Sequence, residues 1–275
     1  MAGFFTLEAG PAANIWMLDV APWLSVGPPD TSFMFGGVGL GATIEAAERT
    51  TGRAVVWATT QYLNYAPRGS TVAFEVTPLV EGHHTSQARA TAKVDGRQVV
   101  GAGLSLGARP GAVRRQFASP SFVPKPQDCP RLPLRWDIAP DDMYSRMDVR
   151  IAKGWDATGD EAGHMVLWMR PTGEPGAGGG PIDRPMLAIM ADFVPASIGN
   201  ALSDGKGDVA VNSLDNCIRF TGLAETEWVL CDIRIHGVAD GFGHGQMLLF
   251  AEDGTLMATA SQSVIVRSLR FPQSR

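Results

Sequence analysis

Residues 35–56 have a counterpart 155 positions further on, and this internal repeat limits the fold of the 275-residue chain more than any other feature. Phe35 falls on Met190, Gly37 on Asp192, Gly52 on Gly207 and Val56 on Val211 without a gap. Thr51-Gly52-Arg53 coincides with Lys206-Gly207-Asp208. After one inserted residue Val72 meets Trp228, and at an offset of 158 the turn Asp95-Gly96 meets Asp253-Gly254. A repeat of this kind is one supersecondary unit used twice, so the chain has to build two like units and join them.

The unit reads as a helix followed by antiparallel strands. In the first copy Val38, Leu40, Ile44 and Ala47 are apolar, Glu45, Glu48 and Arg49 polar, and Gly52 stands where a helix C-cap belongs. Strands are expected over 54–65, 71–79, 83–94 and 98–106, with Val72, Phe74 and Val76 on one face and Asp95-Gly96 as a hairpin turn. The second copy starts with a helix over 186–202 that Pro195 should kink or break. Strands follow over 209–220, 227–235, 245–251 and 256–266. A lead-in strand is expected over 14–20, and two more over 144–151 and 164–169. Seven prolines between 108 and 141 (Pro110, Pro120, Pro124, Pro126, Pro130, Pro133 and Pro140) exclude a continuous helix or central strand there. The expected organisation is a unit over 1–108, a Pro-rich connection over 109–141 laid on the surface, and a second unit over 142–275.

Composition removes several function classes. A net charge of -5 and a pI near 5.5 do not fit a nucleic-acid binder, which carries a basic patch or stripe. No apolar run approaches the ~18 residues expected of a membrane span. The first basic residue is Arg49, so no secretory signal is expected. Cys129, Cys217 and Cys231 are odd in number and widely spaced, which predicts reduced thiols in a cytoplasmic protein. No metal site is expected. His83 and His84 are adjacent and on a strand would face opposite ways. His236 and His244 flank a glycine-rich loop. The glycine-rich run 173–180 lacks the Lys and spacing of a phosphate loop, and no G-x-S-x-G is present.

The copies differ at three positions. Gly37, Ala58 and Leu104 in the first half become Asp192, Ser213 and Gln262 in the second. Buried polar groups are costly unless satisfied, so three such changes in one copy point to a shared site.

With its Phe35-Gly36-Gly37 helix start, Asp192, Ser213-Leu214-Asp215 and Gln262 five residues before Arg267, the chain resembles the acyl-CoA thioesterase II family. That resemblance covers nearly the whole chain. It implies an α+β double-hotdog fold, in which two tandem helix-wrapped antiparallel sheets form one continuous curved sheet. It implies hydrolysis of acyl-CoA by a water that Asp192, Ser213 and Gln262 position, with no cofactor. Backbone N–H groups at Gly36 and Gly37 would face the oxyanion. The acyl chain would lie among Met34, Phe35, Met190 and Phe193. Members usually carry His where this chain has Asn216, and histidines where it has Ala58 and Gln61, so Gln61 and Asn216 enter as substrate-binding candidates. A homodimer or higher homo-oligomer is expected. Two alternatives stay open: a non-catalytic acyl-CoA-binding protein, and an acyl-CoA hydratase or dehydratase, which would need a His paired with Asp192.

Overall fold

A computed structural model describes residues 3–133, 139–173, 180–203 and 209–268. The glycine-rich run 173–180 lies outside the described residues except for its two ends, Gly173 and Gly180, and so does Gly207, the counterpart of Gly52.

The first half opens with strands β1 (Glu8–Ala9) and β2 (Ile15–Asp19), followed by a small ribbon of β3 (Ser25–Val26) and β4 (Phe33–Met34). Helix α1 (Gly36–Thr51) comes next, then β5 (Val55–Tyr62), β6 (Thr71–Glu81), β7 (Thr85–Val94) and β8 (Arg97–Gly107). Residues 37–44 of α1 are all buried, because β5 to β8 curl round one side and the helix Arg184–Met190 packs on the other at Gly37 and Gly41. Gly52 ends the helix at φ 66 and donates its N–H to the Glu48 carbonyl, a left-handed cap that suits glycine.

The second half holds β9 (Met147–Lys153), β10 (His164–Pro171), helices α2 (Arg184–Met190) and α3 (Val194–Leu202), then β11 (Val209–Ser213), β12 (Asp215–Phe220), β13 (Val229–Ala239), β14 (Phe242–Ala251) and β15 (Leu256–Ser268). Among the described residues, thirteen strands form one antiparallel sheet in the order β1-β2-β6-β7-β8-β5-β12-β15-β14-β13-β10-β9, with β11 also on β15. Outward from the β5–β12 seam the two sides match: β8, β7, β6, β2 and β1 on one, β15, β14, β13, β10 and β9 on the other. At the seam Ala58 pairs with Ile218 and Gln61 with Asp215. The repeat seen in the sequence is thus a repeat in space.

Three expectations need adjusting. His83 and His84 lie in the turn between β6 and β7 rather than on a strand. Freed from strand alternation, their rings come to 4.3 Å, with the Nδ1 atoms 3.4 Å apart. The expected loop between His236 and His244 is mostly strand: β13 and β14 extend to a tight turn at Asp240-Gly241, both with positive φ. The stretch Arg184–Leu202 is long and apolar enough for a membrane span, but most of it is buried within the protein.

The Pro-rich connection crosses the far side of the second half's sheet. Along β10, Met165, Leu167 and Met169 face the main core, whereas Val166 and Trp168 face the other way and pack with Trp228, Leu230 and Phe250. The connection covers this second cluster. Pro124 accepts from the Trp168 indole at 2.9 Å, Gln116 bonds Gly254 and Leu256, and Ser121 donates to Asp232, which also contacts His164 at 2.9 Å.

Candidate functional site

The second helix breaks where the repeat first differs. Between α2 and α3 the chain makes a 3-10 turn at Ala191–Phe193, and Asp192 sits there at φ -92 and ψ 31, outside helical values. Pro195 accounts for part of this. It lies in the first turn of α3, where its missing N–H is harmless, but it cannot bond the carbonyl four residues back, that of Ala191. The Asn216 side-chain amide donates to that carbonyl instead, at 3.4 Å.

Strands β11, β12 and β15 bring the other polar residues to the break. Gln262 donates to Asp192 Oδ1, and its Nε2 lies 2.9 Å from Ser213 Oγ. Ser213 Oγ is 3.4 Å from the same Asp192 oxygen. The other carboxylate oxygen, Oδ2, accepts the Gly37 N–H at 2.7 Å from the start of α1. Gly37 has no room for a side chain, since a Cβ there would meet Ile189 O at 2.7 Å. Asp192 and Gly37 are counterparts in the repeat, and they meet directly between the two halves.

Asp192 is 4% exposed. Burial pushes its carboxyl up to about 6, while hydrogen bonds from Gln262, Gly37 and Ser213, and the nearby Asn216 amide, pull the other way. Desolvation wins even against these donors. The group is therefore mostly ionised at neutral pH and still basic enough to accept a proton.

A cavity of about 1390 Å³ opens onto Asp192. Met34, Phe35, Leu132, Met165, Leu167 and Phe193 supply apolar walls, and Gly36, Ser213 and Asp192 are polar points on its surface. Phe193 packs edge-on against Phe35 and Tyr144 with centroids 6.0 and 5.9 Å away.

The structure brings Asp192, Ser213, Gln262, Gly36, Gly37 and Phe35 together, but in different capacities. Phe35 and Gly36 line the cavity, whereas Gly37 stands behind Asp192 with its N–H already bonded. Asn216 is fully buried and lies behind the helix break rather than on the cavity wall. Met190 is likewise wholly buried and is not among the lining residues. Gln61 does not join them. Along β5, Ala58 and Thr60 are buried and Gln61 is exposed, so strand alternation turns it to the opposite face. The next residue, Tyr62, turns back in and lines the cavity. Sequence reasoning missed it, although the parity of Ala58 already placed residue 62 on the inner face. Among the described residues, no group of three or more His, Cys, Asp or Glu side chains is placed to hold a metal ion.

Comparison with known proteins follows the same lines. Residues 126–266 match the family model of the acyl-CoA thioesterase C-terminal domain, and residues 26–107 match that of the N-terminal domain. Among solved structures, a candidate thioesterase from Novosphingobium aromaticivorans is 35% identical, with a TM-score of 0.85, 95% of this chain covered and 98% of that one. A conserved protein with a hot dog fold from Alicyclobacillus acidocaldarius is 22% identical, with a TM-score of 0.78 and 96% of each chain covered. Acyl-CoA thioesterase II TesB2 from Mycobacterium marinum is 20% identical, with a TM-score of 0.73 over 99% of this chain and 97% of that one. The last two likenesses carry the fold alone. No protein of curated function matches the sequence.

Proposed function

This chain belongs to the acyl-CoA thioesterase family and has a double-hotdog fold, and on that premise we propose that it hydrolyses acyl-CoA thioesters at Asp192. The observation that carries the reading is the buried Asp192 carboxylate. It opens on an apolar cavity, is held by Gly37, Ser213 and Gln262, and has its pKa pushed up to about 6.

In this mechanism the acyl chain lies along Phe35, Met165, Leu167 and Phe193, with the thioester carbonyl beside Asp192 and Gly36. Ser213 orients a water, and Gln262 holds Ser213 and Asp192 in place from behind. Asp192 takes one proton from it as the water oxygen bonds to the carbonyl carbon. The first N–H groups of a helix have no intrahelical acceptor, so the Gly36 N–H is suited to receive the developing oxyanion. Collapse of the tetrahedral intermediate breaks the C–S bond. The CoA sulfur leaves as a thiolate, which a free thiol pKa of about 8.5 makes accessible without a strong acid. The proton on Asp192 then returns to the thiolate or to solvent.

A dehydratase reading has less support, because no histidine is among the described residues lining the cavity. The test is release of free CoA thiol from a panel of acyl-CoAs. Asp192→Asn should lower kcat by about 10²- to 10⁴-fold, the usual contribution of a general base. Full activity in that variant would refute the role of Asp192, and binding across the panel without turnover would favour a non-catalytic acyl-CoA-binding protein.

A further inference from the structure

The Tyr62 hydroxyl is buried inside the cavity region and has no hydrogen-bond partner in the protein. A buried phenol without a partner is costly, and such groups usually find one when the site is complete. Thr60 and Asn216 are its polar neighbours, but neither reaches it with hydrogen-bond geometry, and Asn216 Oδ1 is buried without a partner as well. Asp192 does not bond it either: its Oδ2 accepts the Gly37 N–H and its Oδ1 the Gln262 amide.

The geometry around Gly36 places the end of the Tyr62 ring close to the acid. A side-chain carbon at Gly36 would stand 2.6 Å from Asp192 Oδ2, 3.1 Å from Tyr62 Cζ and 3.3 Å from Tyr62 Oη. The absence of a side chain therefore keeps open a small space with the acid on one side, the phenol on the other and the start of α1 behind. The repeat points the same way. Tyr62 corresponds to Cys217, a buried residue in the second half, so this polar group, unlike Asp192, Ser213 and Gln262, comes from the first half alone.

We propose that Tyr62 donates its hydroxyl proton as a hydrogen bond to the thioester carbonyl oxygen, beside the Gly36 N–H, and strengthens that bond as the oxygen becomes negative. This rests on the reading of the cavity as a thioester site. The division of labour is that Asp192 faces the attacking water while Tyr62 and Gly36 face the carbonyl oxygen. Burial, followed by the nearby Asp192 charge, raises the phenol well above its ordinary 10, so it stays a proton donor throughout the pH range of turnover. Preorganised donors of this kind act most strongly where charge develops in the transition state.

The test is Tyr62→Phe, read in two ways. The first is steady-state turnover, where kcat should fall by roughly 10²-fold with KM changing less than about threefold, as for loss of an oxyanion donor. The second is binding of two non-hydrolysable ligands. An S-(2-oxoalkyl)-CoA keeps a ketone oxygen near the thioester position, and an S-alkyl-CoA has none. The variant should lose about tenfold in affinity for the ketone, close to the value of one hydrogen bond, and bind the thioether like the wild type. Unchanged kcat, or equal weakening of both ligands, would overturn the proposal and leave Tyr62 a packing residue. Selective ketone loss in a protein that turns over no acyl-CoA would uphold the Tyr62 contact and refute hydrolysis, so the two readings fail separately.

Discussion

Replacing Asp192 by Asn should make the protein more stable as well as less active, and the gain should depend on pH. The carboxyl has its pKa raised from 3.8 to about 6. A raised carboxylate pKa means that the folded state binds the proton more tightly than the unfolded state does. Stability therefore falls as pH rises from about 4 to about 6 and is flat beyond. Roughly two pH units at 1.36 kcal/mol each put the cost of ionised Asp192 at about 3 kcal/mol at pH 7. The hydrogen bonds to Asp192 are already contained in the shifted value, so this is a net figure. Asparagine removes the ionisation and keeps the shape. Its oxygen can accept the Gly37 N–H, and once the Gln262 amide, which now faces residue 192 with Nε2, turns over, its NH₂ can donate to Gln262 Oε1. Thermal unfolding of both proteins from pH 4.5 to 7.5 checks this. The gain should be small at pH 4.5 and reach about 6 °C at pH 7.5, at roughly 2 °C per kcal/mol for a chain of this size. A variant less stable than wild type at pH 7.5, or a gap that does not change with pH, would refute the assignment of a raised pKa to Asp192.

The wild-type kcat/KM should rise tenfold per pH unit below about 6 and level off above it, because only ionised Asp192 accepts the proton; a pH–rate profile checks this. Gly36→Ala places a methyl group 2.6 Å from Asp192 Oδ2 and should lower kcat at least tenfold, with circular dichroism unchanged, by displacing the carboxylate. Ser121→Ala removes the hydrogen bond that ties the Pro-rich connection to Asp232. Trypsin should then cut faster at Arg114 and Arg115, near the exposed Val113 and Phe117, and a cleavage time course on gels measures the change.

The strands were legible because alternation and turn chemistry agree. Val72, Phe74 and Val76 are all buried as their spacing requires, and Asp95-Gly96 adopts the positive φ pair of a tight hairpin. The grouping of Asp192, Ser213 and Gln262 was legible from comparing the copies, since all three interrupt an apolar pattern that the other half keeps. Side-chain direction was harder. Gln61 and Tyr62 are neighbours in sequence, and a one-residue step decides which of them meets the cavity. Gly37 looked like a donor for substrate, but only the fold reveals that the Asp192 carboxylate occupies its N–H. Pro195 announced a break in the helix, yet the break falls earlier, at Asp192, where the chain gives up helical geometry to aim a carboxylate inward.

The contact between Gly37 and Asp192 also sets a stoichiometry. The two positions are equivalent in the repeat and touch each other, and the space at Gly37 is closed by the backbone of Ile189. A carboxylate at one position thus excludes one at the other, and the chain has room for a single acid. Two identical subunits cannot make that choice, because whatever one carries the other carries too. Joining the copies in one polypeptide lets them diverge, one giving up its side chain so that the other keeps its own. An active-site titration should accordingly count one equivalent per chain, not one per repeat.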